Sequence, residues 1–229
     1  MKITDLHNHT TFSYDGTNSC EEIIENALSK GIEVIGITDH QYSISDIGEY
    51  IYTVNECKRK YKGKINVLCG LEIGTRPEPR NLILSNIKNI DYCLFECLDS
   101  DKAMDFYEFL EWAQLFKMPK GFAHTDIFYL SQKFEIDIIR IMKEHNFFWE
   151  LNTSGNYDYY YDFLTNSEKQ RIISESQIPI SIGSDTHWIN DLNICLLDTD
   201  NNIFASQYLS HHMECLHDFT GIFFKQLSM

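Results

Sequence analysis

The sequence predicts an α/β barrel, and three observations point to it. Short apolar runs rich in Ile, Val, Leu and Phe alternate with segments of helical periodicity, the pattern of βαβ units in a parallel sheet with right-handed crossovers. Seven such runs can be counted, which suits a closed barrel better than an open sheet. Each run delivers a polar residue at its end, and in parallel barrels those C-terminal ends meet on one face, where chemistry sits. The 229 residues are expected to form a single domain with a C-terminal extension over 190–229 packing on the barrel.

In chain order, residues 1–6 read as a strand that leads into Asp5-Leu6-His7-Asn8-His9, with Asp15-Gly16 shortly after. Ser19 to Glu22 has capping-box spacing, and Ile23, Ile24, Ala27 and Leu28 keep helical periodicity until Gly31 stops it. Glu33 to Thr38 is the second strand and hands out Asp39-His40; residues 45–61 are helical. Ile65 to Leu71 is the third strand and delivers Glu72. Asn81 to Lys88 is a weaker helix, and the fourth strand, Asp91 to Phe95, ends in Glu96.

Met104 to Phe116 is an aromatic-rich helix that stops at Pro119, and Gly121-Phe-Ala123 presents His124. Phe134, Ile138, Ile141 and Met142 mark one amphipathic helix over 131–144. Phe147 to Leu151 is the sixth strand and ends at Asn152; Tyr157, Tyr159, Tyr160 and Tyr161 open the segment 157–176, whose first half reads equally as helix or as an active-site loop with the tyrosines walling a pocket, and a helical run follows to Ser176. Ile178 to Ile182 is the seventh strand and ends in Gly183-Ser-Asp185-Thr-His187. Beyond 190 the pattern yields a helix within 203–217 and an apolar tail at Ile222 to Phe224.

Composition narrows the function. No run approaches the roughly 20 apolar residues that cross a bilayer, and no signal peptide precedes the first strand, so a cytoplasmic protein is expected. Seven cysteines without a Cys-x-x-Cys pair suit small buried hydrophobes better than a disulfide framework. A formal charge of −15 argues against a long nucleic acid as partner and welcomes cations.

In an extended segment residues two apart share a side, so His7 and His9 can aim two imidazoles at one point. A lone pair of this kind is weak. The series is stronger: His7 and His9, Asp15 on the first loop, His40, Glu72, Glu96, His124, then Asp185 and His187, so that five of nine histidines fall at strand ends. Such a set points to a multinuclear metal site; imidazole with carboxylate suits Zn²⁺, Mn²⁺ or Fe²⁺.

DLHNHTTFSYDG (5–16), GITDH (36–40), CGLEIG (69–74), FAHTD (122–126) and IGSDTH (182–187) together resemble the PHP (polymerase and histidinol phosphatase) family over residues 2 to about 190. The resemblance implies a distorted (β/α)7 TIM-like barrel with a metal site at the C-terminal strand ends. It also implies three ions: His7, His9, Glu72 and Asp185 around one, Glu72 bridging to a second that His124 holds, and Asp15, His40 and His187 around a third. Asp39 points away from His40 and is expected to support the ligands rather than join them. The pattern departs at Leu98, which stands where a histidine is usual. Glu96 from the strand end, or Asp99 after a loop shift, would replace it; otherwise the second ion keeps only Glu72 and His124.

Paired divalent ions lower the pKa of a bound water and neutralise phosphate oxygens. The expected activity is hydrolysis of a small phosphomonoester such as histidinol phosphate, or a nucleotide or sugar phosphate, by metal-bound hydroxide. Glu72, Asp185 and His187 are the expected catalytic residues, and Arg76 and Arg80, on the loop after Glu72, are candidates to fork onto phosphate. The alternatives are an amidohydrolase-type metal hydrolase, which often uses a bridging lysine where this chain has Glu72, and a non-catalytic barrel with an incomplete site.

Overall fold

Main-chain pairing turns the apolar runs into parallel strands. The computed structural model describes residues 4–76, 84–154 and 156–189, so Arg80, the C-terminal extension and the segments predicted within it lie outside the described residues. The elements are β1 (Thr4–Asp5), α1 (Cys20–Ser29), β2 (Val34–Ile37), α2 (Ile47–Lys60), β3 (Asn66–Cys69), β4 (Glu72–Gly74), a 3₁₀ turn (Leu84–Ile87), β5 (Cys93–Glu96) and α3 (Phe106–Ala113). After these come β6 (Lys120–Phe122), α4 (Ile127–Lys133), α5 (Ile138–His145), β7 (Phe147–Asn152), α6 (Asp158–Thr165), α7 (Ser167–Ser176) and β8 (Ile180–Gly183).

The strands form two parallel ladders, β1-β2-β3 and β4-β5-β6-β7-β8. They join at both ends. Gly70 and Leu71 interrupt one continuous run from β3 into β4, yet Gly70 N–H still donates to Ile37 O at 2.7 Å and Leu94 N–H to Leu71 O at 3.0 Å. On the far side Leu6 N–H donates to Ile182 O at 2.8 Å, and Asn8 bridges Thr186 in parallel. Seven strand positions therefore follow one another in a ring, as the sequence pattern predicts.

Two apolar layers hold it. Leu6, Val34, Leu68, Tyr92, Leu94, Ala123 and Phe148 fill the inside of the ring, while a larger cluster including Ile24, Val54, Phe95, Phe109 and Trp149 lies under the helices. Tyr92 occupies the centre. Its hydroxyl lies 2.5 Å from Leu6 O and 2.6 Å from Thr38 Oγ1, so a polar atom sits in the core without being orphaned. A Cβ on Gly36 would lie 2.0 Å from that hydroxyl, which is why β2 carries glycine there.

Three helix predictions change. The stripe over 131–144 is two helices, because Glu135 adopts φ +52° and Asp137 starts a new N-cap, accepting from Arg140 N–H. Asn166 divides 157–176 in the same way, its side chain accepting from Lys169 N–H at 3.1 Å. Of the helix over 81–88, a 3₁₀ turn lies within the described residues. Cys20, Cys57, Cys69 and Cys93 are buried free thiols, as expected of small hydrophobes.

Candidate metal centre

All nine strand-end and loop candidates converge on the C-terminal face of the ring. His7 Nε2 lies 3.0 Å from His9 Nε2, and His9 Nε2 lies 3.2 Å from Asp185 Oδ1. Glu72 sits beneath both, 3.4 Å from His7 Nε2 and 3.5 Å from His9 Nε2. His124 Nε2 approaches the other side of Glu72 at 3.0 Å. Asp15 Oδ2 is 3.4 Å from His40 Nε2 and 3.3 Å from His187 Nε2.

Three groups have ligand atoms close enough to share one cation: His7, His9 and Asp185; His9, Asp15, His40 and His187; and His40, Glu72 and Glu96. The third of these departs from the expected partition. Glu96 Oε1 faces His40 Nδ1 at 3.6 Å, so it gathers with His40 and Glu72 rather than completing a set with His124. Leu98, the usual histidine position, is buried in the apolar layer, and Asp99 is exposed. Glu96 is thus the carboxylate that β5 supplies to the face.

The ring nitrogens are aimed by their partners. Glu150 Oε1 lies 2.7 Å from His7 Nδ1, so Nδ1 is the nitrogen that donates outward and Nε2 is the one aimed into the site. The other Glu150 oxygen accepts from His124 N–H at 2.6 Å, steadying a residue held at φ +31°. Ser13 Oγ lies 3.0 Å from His9 Nδ1 and accepts from His40 N–H at 2.9 Å. Asp185, at φ +57°, donates its N–H to His7 O at 2.8 Å, while Tyr157 OH donates to its Oδ2 at 3.3 Å. Strained backbone at two neighbouring polar residues is the kind that clusters at functional sites.

Asp39 behaves as the sequence suggests: its oxygens accept from Thr10 N–H at 2.7 Å and Thr10 hydroxyl at 2.8 Å, fixing the turn after His9. Asn152 is buried and touches Glu150 instead of the metal-facing atoms. Arg76 is exposed on the loop after β4. Glu150 and Ser13 are the contributors to the centre that the strand-end pattern does not mark, whereas Tyr157 comes from the tyrosine cluster near the sixth strand end. Glu150 had a signal of its own, a carboxylate inside the apolar run FFWELN, a placement that demands a partner.

The centre fits a cation on two counts. Asp15 Oδ1, His40 Nδ1 and Glu72 Oε2 are buried without a hydrogen-bond partner, even though the last two lie 2.8 Å apart; they are close but not aligned to bond each other. Titration gives the second count. Burial alone would depress both rings, yet Glu72 and Glu96 push His40 up to about 11 and Glu72 pushes His124 up to about 9. Glu72 and Asp185 are held far below the usual carboxylate range against the opposing effect of burial, His7 being the largest favourable cause in each.

Protons therefore stand where a cation would, and binding must release them. Because the folded values of His40 and His124 lie above the ordinary 6.5, their protonated rings stabilise the metal-free fold fully below pH 6.5 and lose that effect as pH rises through about 9 for His124. The melting temperature of the metal-free protein is expected to fall from pH 6.5 towards 9 while the rise in melting temperature caused by added Zn²⁺ grows. Thermal scans with and without metal across that window check both slopes; a metal-induced rise that shrinks with pH would contradict them.

Comparison with known proteins bears on the fold and the family. A stretch of 82 residues is 30% identical to the histidinol-phosphatase of Lactococcus lactis subsp. lactis (strain IL1403); it spans 32% of this chain and 30% of that protein. The fold is similar to the crystal structure of the Lactococcus lactis histidinol phosphate phosphatase in complex with zinc, L-histidinol and phosphate, at 18% identity and a TM-score of 0.55, over 89% of this chain and 93% of that one. It is also similar to the hisK protein of Listeria monocytogenes, at 19% identity and a TM-score of 0.57, over 82% and 97%. The model of the PHP domain family matches residues 5–221, a span that holds every residue of the centre, and the chain belongs to that family.

Proposed function

We propose that this protein is a metal-dependent phosphomonoesterase acting on a small phosphorylated molecule, with His7, His9, Asp15, His40, Glu72, Glu96, His124, Asp185 and His187 as ligands of two or three divalent ions, Zn²⁺, Mn²⁺ or Fe²⁺. The observation that carries the reading is the set of unpaired buried ligand atoms, His40 Nδ1, Glu72 Oε2 and Asp15 Oδ1, turned to a common face. Ions held there would acidify a bound water and neutralise phosphate oxygens, which is the chemistry of phosphoester hydrolysis.

The chain's own residues set the rest. Glu72, reached by His7, His40 and His124, would bridge two of these ions. Asp185 is oriented by Tyr157 and His9, and burial together with the neighbouring His9 lowers the pKa of His187, keeping its ring neutral, the form that binds a cation. Arg76 is positioned on an exposed loop where it could meet phosphate, and Arg80 is assigned the same role. Exposed Tyr14, Tyr42 and Trp188 adjoin His40 and His187 in the structure or the chain, giving the mouth an apolar rim. Histidinol phosphate is the first substrate to try, because a similar structure was solved with L-histidinol and phosphate.

The test is metal analysis with turnover of p-nitrophenyl phosphate and histidinol phosphate. Removing the metal with a chelator is expected to lower turnover by about a thousandfold or more, with recovery on adding Zn²⁺ or Mn²⁺. Unchanged turnover in metal-free protein, or no turnover with the metal bound, overturns the proposal.

A further inference from the structure

Along α2, from Gly48 in its first turn to Lys64 beyond its last, a groove of about 970 Å³ separates the helix from the start of β3, within the range of small-ligand sites. Its charge is the reverse of the chain's. Overall there are 34 acidic and 19 basic residues, yet Lys58, Arg59, Lys62 and Lys64 line the groove against one carboxylate, Glu33. Three basic residues in the last turn of α2 suit the helix dipole, and that bland reading covers Lys58 and Arg59, which pair with Asp91 and Glu56. It does not cover Lys62 and Lys64. They follow the helix, are exposed, and among the described residues have no carboxylate in ion-pair range.

The other groups in the groove are those a base would meet. Tyr52, Asn55 and Arg59 occupy one stripe of α2, three and four residues apart, and Tyr52 is 63% exposed. Asn86 and Asn89 face them from the turn before β5, supplying amide donors and acceptors. An exposed aromatic ring, amides and unpaired lysines side by side combine a stacking platform with an anion sink. The chain's net charge of −15 selects against a long polyanion, which leaves a small one.

We propose that this groove is a second binding site, independent of the metal centre, for a nucleotide: a planar base against Tyr52 and its phosphates against Lys62 and Lys64. The site does not rest on the phosphatase reading. No residue of the three ligand groups lines the groove, so the two are separate sites.

The test titrates metal-free protein with fluorescent N-methylanthraniloyl-ADP, using inorganic pyrophosphate as competitor. Saturable binding is expected to survive metal removal, to weaken with rising salt, and to fall about tenfold in Tyr52→Ala and in Lys62→Ala/Lys64→Ala. Hydrolysis of p-nitrophenyl phosphate by the metal-loaded variants should stay at the parent rate, which also shows that they fold. Binding that disappears with the metal, or is equal in parent and variants, overturns the site. Pyrophosphate competing as well as ADP, with Tyr52→Ala unchanged, overturns the nucleotide assignment.

Discussion

His9→Ala is expected to lower p-nitrophenyl phosphate turnover by about a thousandfold or more, about 4 kcal/mol of transition-state stabilisation. His9 Nε2 stands within 3.5 Å of His7, Asp185 and Glu72, and His9 belongs to two of the three ligand groups. Its loss would open two ion sites at once. Asp185→Ala should act similarly, since Asp185 closes one of those groups and its N–H ties β8 to His7 O, a main-chain bond that the substitution leaves in place. The fold should persist in both, because the side chains meet other ligands rather than the apolar layers. Metal content, circular dichroism and turnover measured together separate lost chemistry from lost structure. A folded His9→Ala with near-parent rate would show that the ligand assignment is wrong.

Glu150→Gln is expected to weaken metal binding by 10- to 100-fold, the usual cost of losing a partner that orients a metal-bound histidine. Glu150 is fully buried and takes hydrogen bonds from two directions, His7 Nδ1 and His124 N–H. An amide has one accepting oxygen for these two donors and would turn an N–H against one of them. His7 would then lose the fixed proton at Nδ1 that leaves Nε2 free. Competition of bound Zn²⁺ against a chelating dye reads the affinity directly. Parent affinity in a folded Glu150→Gln protein would mean that the histidines are aimed by packing alone. Gly183 belongs to the same device: a Cβ there would lie 2.1 Å from Glu150 Oε1, so glycine is what lets the carboxylate reach under His7.

Much of the centre is legible in the sequence because barrel geometry converts position along a strand into position in space. His40, Glu72, Glu96, His124 and Asp185 each close or follow an apolar run, and the pattern alone places them on one face. Which residues share an ion is not legible in that way. The pairing of Glu96 with His40 depends on how β5 leaves the ring, through Cys97 at φ +62°, a left-handed turn that a Cys does not announce. Glu150 is hidden for another reason. It lies inside β7 with apolar neighbours on both sides, so a strand-end rule passes over it, although the expense of burying a charge marks it once burial is considered. The helices fail where a single residue breaks an otherwise continuous stripe, as Glu135 and Asn166 do.

The lock between the first and last described strands has a consequence for how the molecule comes into being. Asp5 accepts from Ser184 N–H at 2.9 Å and from its hydroxyl at 2.6 Å, a contact 179 residues apart in sequence. His7 and His9 enter the world long before Asp185 and His187, and among the described residues each ligand group around His9 needs one of those two. Loop closure over such a span is slow and entropically costly. An ion held by both ends of the chain would be captured only after the ring has closed, and once seated it would oppose the parting of β1 from β8.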